Sequence, residues 1–177
     1  ASARYVAGDT SLPFALGLAG PLRIDGTGIT LQPVALALRG QESIPTLDAE
    51  GGFALSGTLQ LQLEGQLANW PDAWPALPPP LSQSASPLPF ALDYIGASDL
   101  SDIATLQLQR DATHFHGRFR LFEVLDWAGT TAQGSPLPPI AGTLDTQRVE
   151  ISGAVLEGVE VKIEDDSLPA PETAPAQ

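Results

Sequence analysis

The sequence contains no cysteine and no methionine, and lysine occurs only once, as Lys162. Without cysteine the chain can form neither disulfides nor thiolate metal sites, and it has no thiol nucleophile. Eight basic residues stand against 21 acidic ones, which gives a formal net charge of −13. We therefore expect no nucleic-acid partner, because the chain has no cluster of cations to displace counterions from phosphates.

Long apolar runs are also missing. No stretch reaches the ~18 consecutive apolar residues of a membrane-spanning helix, so no transmembrane segment is expected in this chain. The opening residues ASARY lack the apolar core of a signal peptide, and we expect that a leader was removed or that the chain belongs to a longer protein. Residues 165–177 contain three prolines and one large apolar residue, which predicts a disordered acidic tail after a single domain of residues 1–164.

Alternation of apolar and polar residues dominates the rest of the chain. From Leu59 to Leu67 every odd position except Gly65 is leucine and every even position is polar. This is the pattern of a half-buried antiparallel strand, and it recurs along much of the sequence. It predicts a mainly β, antiparallel protein, either one strongly curved sheet or an incomplete barrel, with one or two short helices.

Three segments interrupt the alternation. Residues 69–86 contain five prolines, which predicts a long loop with at most one helical turn, at residues 71–74. Residues 122–128 are the best candidate for a helix, ended by Gly129. Gly158 breaks the pattern of the last strand and predicts a β-bulge there.

Side chains able to carry chemistry are few. His114 and His116 share one strand face about 7 Å apart, and zinc or copper accepts such ligands, but the sequence offers no third ligand. No G-x-S-x-G motif and no nucleotide-binding glycine loop is present. We therefore expect no enzymatic activity, no metal and no cofactor.

Arg118 and Arg120 continue the histidine face, which gives one strand a stripe of four potential cations, too small for a nucleic-acid surface but the only such group in this acidic sequence. They could contact lipid phosphates or pair with Glu160 and Glu164 on a neighbouring strand, and we favour the pairing.

Trp70 and Trp74 flank Pro71 in the proline-rich loop. Such a pair can plug the open end of a sheet, rest at a membrane interface or stack on a sugar ring. We favour the plug.

The region from Leu106 to Glu164 resembles the C-terminal region of AsmA-family proteins, the bacterial envelope proteins related to TamB and YdbH. The resemblance is carried by residues 142–159, which follow the pattern G-x-L-x-x-x-x-V-E-I-x-G-A-x-L-E-G-V. It implies a β-groove module, a twisted sheet lining a hydrophobic trough for phospholipid acyl chains. It also implies a periplasmic location in a Gram-negative bacterium, with an inner-membrane anchor where the module belongs to a longer parent.

We accordingly expect a lipid-binding or lipid-transfer module that contributes to phospholipid transport and outer-membrane biogenesis. Strand parity nominates ten residues for the groove wall: Leu59, Leu61, Leu63, Leu106, Leu108, Phe115, Phe119, Val159, Val161 and Ile163. One alternative is a non-catalytic structural or protein-interaction module of envelope assembly or a secretion apparatus, which would recruit a partner through a sheet edge. Another is a carbohydrate-binding β-sandwich that uses the tryptophans.

Overall fold

The computed structural model describes residues 2–7, 10–40, 45–70, 77, 81–84, 86–130, 138–151 and 153–169. Within them eleven strands form a single antiparallel sheet, accompanied by one α-helix and one 3₁₀ turn. The strands are β1 (Ser2–Ala7), β2 (Thr10–Ala19), β3 (Leu22–Asp25), β4 (Gly28–Gly40), β5 (Thr46–Ser56), β6 (Thr58–Asn69), β7 (Leu88–Gly96), β8 (Ile103–Arg110), β9 (Thr113–Arg120), β10 (Ala141–Ile151) and β11 (Ala154–Ile163). The helix is α1 (Leu121–Thr130), and the 3₁₀ turn covers Leu81–Gln83.

The sheet is a meander in which strands follow one another in almost the order of the chain. Ten of them run β1-β2-β4-β5-β6-β7-β8-β9-β10-β11. β2 and β3 pair with successive parts of β4, so they lie end to end along it. In the described residues β1 and β11 do not pair with each other, and the sheet is not closed into a barrel. The predicted mainly antiparallel β fold is confirmed.

Apolar side chains share one face of this sheet because alternation and register agree. Leu59, Leu61 and Leu63 of β6 lie opposite Leu55, Phe53 and Gly51 of β5. The intervening residues of β6, all polar, are exposed on the other side. We call the side carrying Leu59, Leu61 and Leu63, with every residue in register with them, the apolar face, and the opposite side the polar face.

Three hydrophobic clusters on the apolar face join into one core. They centre on Leu88 with Phe115, on Tyr94 with Phe119, and on Val34 with Leu63. They share partly buried neighbours, among them Leu61, Leu92, Phe90 and Leu106. The described residues contain no second sheet to cover this face, so its burial is consistent with a sheet that curves around it.

Two glycines show how closely strands approach on that face. A Cβ atom on Gly65 of β6 would lie 2.2 Å from the carbonyl oxygen of Asp48 on β5. A Cβ atom on Gly142 of β10 would lie 2.4 Å from the carbonyl oxygen of His116 on β9. Both distances are far inside van der Waals contact, so only glycine fits.

The interruptions of the alternation have mixed outcomes. The predicted helix at 122–128 is confirmed by α1, whereas the helical turn at 71–74 lies outside the described residues. The bulge predicted at Gly158 is wrong, because Thr146 pairs with Val159 and Arg148 with Glu157 in one unbroken register. Gly158 instead has a φ of 63°, a left-handed conformation that glycine adopts at little cost, and no residue is inserted.

The first residues of the predicted tail, 165–169, follow β11 as a turn that is hydrogen-bonded to the sheet. Leu168, its one large apolar residue, is buried with 7% of its surface exposed. Burial of that side chain, together with hydrogen bonds from the sheet, offsets the entropy lost on ordering this short segment. Residues 170–177 lie outside the described residues.

Candidate functional site: the apolar face

All ten residues nominated for the groove wall lie on the apolar face. Cross-strand pairs carry this face from β6 to β11: Leu61 with Tyr94, Leu63 with Leu92, Leu92 with Leu106, Leu108 with Phe115, Ala104 with Phe119, Leu144 with Phe115 and Val161, Gly142 with Ile163, and Thr146 with Val159. Their role in a groove wall stays a prediction, since the register gives their position alone.

Burial divides the ten residues into two groups. The buried ones are Leu59, Leu63, Leu108, Phe115 and Phe119. Leu61, Leu106, Val159 and Ile163 are partly buried, and Val161 is 44% exposed. The middle of the apolar face is thus filled by its own side chains. Parity alone could not distinguish a packed position from an open one, since both carry the same alternation.

Two short segments cover opposite ends of the packed region. At one end α1 places Leu121 and Val124 against the cluster of Tyr94, Ala104 and Phe119. At the other end Leu81 of the 3₁₀ turn is buried in the cluster that contains Leu88, Leu108 and Phe115.

Arg110 fixes the second covering segment. Its Nη1 donates hydrogen bonds to the carbonyl oxygens of Leu81, at 2.7 Å, and of Ser84, at 3.0 Å. Trp70, the last residue before the loop leaves the described region, packs against the same cluster, as the plug prediction requires. Trp74 lies outside the described residues.

The buried hydroxyl groups on the apolar face have hydrogen-bond partners. The hydroxyls of Thr113 and Thr146 are buried and lie 3.1 Å apart, within hydrogen-bond distance. The Tyr94 hydroxyl donates to the carbonyl oxygen of Ala97 at 2.6 Å. With these hydroxyls already engaged, the face is chemically suited to hydrocarbon rather than to a polar ligand.

The apolar face continues beyond the packed region to an open end. There Leu18 is 57% exposed, Leu22 61% and Ile24 70%. Leu22 lies opposite Leu31, and Ile24 lies opposite Ile29, which in turn lies opposite Leu55 next to the core. We call Leu18, Leu22, Ile24 and Ile29 the open end. The nominated residues did not include it, although residues 22–25 show the same alternation.

The histidines lie on the polar face, where both are exposed. His114 is opposite Asp145 of β10, and Asp145 is opposite Glu160 of β11. Even so, the described part of the chain contains no group of three His, Asp or Glu side chains placed to hold a metal ion. The third ligand that a site at His114 and His116 would need is therefore not found among these residues.

The predicted pairing of the two arginines with Glu160 and Glu164 is wrong for the described residues. Arg118 donates to the carbonyl oxygen of Pro169 at 3.0 Å. Arg120 donates to Glu123 Oε1 and to the carbonyl oxygen of Ser167, each at 3.2 Å. Glu160 lies on β11, which β10 separates from β9, so nearer acceptors are bonded instead.

Comparison with protein-family models, with characterised proteins and with solved structures finds no match. Among the residues that the structure describes, no helix has the length and apolar content needed to cross a bilayer.

Proposed function

We propose that this chain binds lipid acyl chains along its apolar face, as a lipid-binding or lipid-transfer module of the periplasm in a Gram-negative bacterium. The observation that carries the proposal is the continuity of the apolar face from a packed core to an exposed end. The resemblance of residues 106–164 to the AsmA family supports it independently, since the open end lies outside that region.

The exposed side chains of the open end favour an aliphatic ligand. Leu18, Leu22 and Ile24 expose most of their surface to water, and covering apolar surface gains about 25 cal/mol per Å². A contiguous exposed apolar patch on a folded protein typically marks a binding surface. An acyl chain laid against the open end would cover these side chains and continue the line of leucines toward β5 and β6.

The test is to purify the full chain without detergent, extract it with organic solvent and quantify phospholipid by mass spectrometry. We expect close to one phospholipid per chain. Ile24→Asp should lose most of that lipid, because a carboxylate in the path of an acyl chain must be desolvated. Val161→Asp should lose lipid for the same reason, since Val161 is the most exposed of the ten nominated residues.

Ile95→Asp is the matched control. Ile95 is 64% exposed, close to Ile24, but it lies opposite Gln60 on the polar face. It should retain lipid at the wild-type level. Background lipid in well-folded wild-type protein, or equal loss in Ile24→Asp and Ile95→Asp, would contradict binding along the apolar face.

The sheet edges favour a second candidate, a protein-interaction module. In the described residues β1 pairs only with β2, and β11 only with β10, so each has one edge able to accept a strand. A folded protein without lipid that captures a β-strand peptide would support this alternative.

A further inference from the structure

The residues after β11 form a defined turn. The carboxylate oxygen Oδ1 of Asp165 accepts a hydrogen bond from the backbone N–H of Ser167 at 2.9 Å. The backbone N–H of Leu168 donates to the carbonyl oxygen of Asp165 at 3.1 Å. Together these bonds close a β-turn over residues 165–168 and fix the direction in which Leu168 leaves it.

This turn is bound to β9 by two arginines whose spacing it matches. Arg120 donates to the carbonyl oxygen of Ser167 and Arg118 to that of Pro169, while Leu168 between them is buried. The arginines are two residues apart on one strand face, and the carbonyls they bind are also two residues apart. Hydrogen bonds from a charged guanidinium are among the stronger ones in proteins.

Arg120 also connects this segment to α1. The same Nη1 atom that bonds Ser167 donates to the carboxylate of Glu123, in the first turn of the helix. β9 ends at Arg120 and α1 begins at Leu121, so the arginine lies at the junction of strand and helix. Beyond that junction, Leu121 and Val124 cover the cluster of Tyr94, Ala104 and Phe119.

We propose that residues 165–169 form a latch that holds α1 over its end of the apolar face. A helix of ten residues is marginal in isolation, so α1 depends on contacts that fix its first turn and its apolar side. Release of the latch removes the Ser167 carbonyl that helps to fix the Arg120 guanidinium beside Glu123. With its first turn less firmly held, α1 shifts toward open states that uncover the cluster around Tyr94 and Phe119. The latch thus regulates access to the apolar face, a consequence that rests on the proposed function.

Hydrogen–deuterium exchange of the full chain, without lipid, tests the latch. In Leu168→Asp the latch is disrupted because a carboxylate replaces a buried leucine. We expect the backbone amides of α1 to exchange at least about tenfold faster than in wild type, with those of β5 and β6 unchanged. Arg118→Ala, which removes one latch hydrogen bond at the surface, should act in the same direction and serves if Leu168→Asp does not fold.

Arg39→Ala is the matched control, since Arg39 makes an exposed ion pair with Asp48 at 2.6 Å on the polar face, far from α1 in the sheet order. It should leave exchange in α1 unchanged. Loss of protection in residues 165–169 while α1 stays within about twofold of wild type would overturn the latch. This readout needs no lipid, so failure of lipid binding and failure of the latch are separate results.

Discussion

Asp25 shows how a single side chain ends one strand and begins the next. Its carboxylate accepts hydrogen bonds from the backbone N–H groups of Thr27, at 2.8 Å, and Gly28, at 3.2 Å, and from the Thr27 hydroxyl. These bonds, led by the hydroxyl, hold the pKa of Asp25 below its ordinary value of 3.8. A lowered folded-state pKa means that this stabilisation is present above about pH 3.8 and is lost as pH falls through the folded-state pKa.

Thr27→Val should raise the pKa of Asp25 part of the way to 3.8, because the hydroxyl donor is lost while the backbone donors remain. Carboxyl-carbon NMR titration measures it. Ser101→Ala, which removes the equivalent hydroxyl beside Asp99, should raise the pKa of Asp99 and leave that of Asp25 unchanged. An unaltered Asp25 midpoint in Thr27→Val would show that the hydroxyl bond is not formed in solution.

Gly65→Ala should lower the free energy of unfolding by about 1–3 kcal/mol, since the new methyl group overlaps backbone atoms of β5 that cannot yield locally. Urea denaturation measures the change. Gly26→Ala is the control, because a Cβ atom there meets nothing within 4 Å. Equal stability of the two variants would argue against close strand approach at Gly65.

At the scale of elements, residues 81–84 are held to the sheet by hydrogen bonds from one arginine, Arg110. Arg110→Ala removes two hydrogen bonds from a charged donor, and we expect it to cost about 1.5–3 kcal/mol of stability. The backbone amide hydrogens of residues 81–84 should also exchange faster, because Leu81 then packs less firmly against its cluster. Arg23→Ala on the exposed β3 is the control and should change neither quantity. Unchanged exchange at 81–84 would show that apolar packing alone holds this turn.

Elements differ in how far the sequence could predict them. α1 was foreseeable because it breaks the period-two pattern and ends near a glycine. The 3₁₀ turn at Leu81–Gln83 was not, since its position depends on Arg110, 27 residues beyond the end of the turn, which local propensity cannot register. The prediction of a bulge at Gly158 was wrong because a glycine inside a strand can mark either a bulge or a positive φ. Only the register of the neighbouring strands distinguishes the two.

For the whole molecule, an aspartate placed on the apolar face should have different effects on stability at its packed and its open positions. Leu63→Asp buries a carboxylate in the core and should prevent cooperative folding, because an unpaired buried charge costs several kcal/mol. Ile24→Asp at the open end should melt within a few degrees of wild type, since its side chain already meets water. Thermal unfolding followed by circular dichroism tests both. Equal destabilisation would mean that the open end is covered in solution.

The strands, and the division of their residues between two faces, can be read from the amino-acid sequence. Both follow from period-two alternation, a local property that every strand carries in its own residues. In the register of the sheet, all ten residues nominated by parity lie on one face.

Which parts of that face are packed and which are open depends on the folded arrangement of the whole chain. The same is true of the partners of Arg118 and Arg120, which bind the carbonyl oxygens of Pro169 and Ser167, respectively, rather than carboxylates on β11. Both outcomes depend on how the sheet curves and on which distant segments return to it. Such contacts join residues tens of positions apart, and no local pattern encodes them.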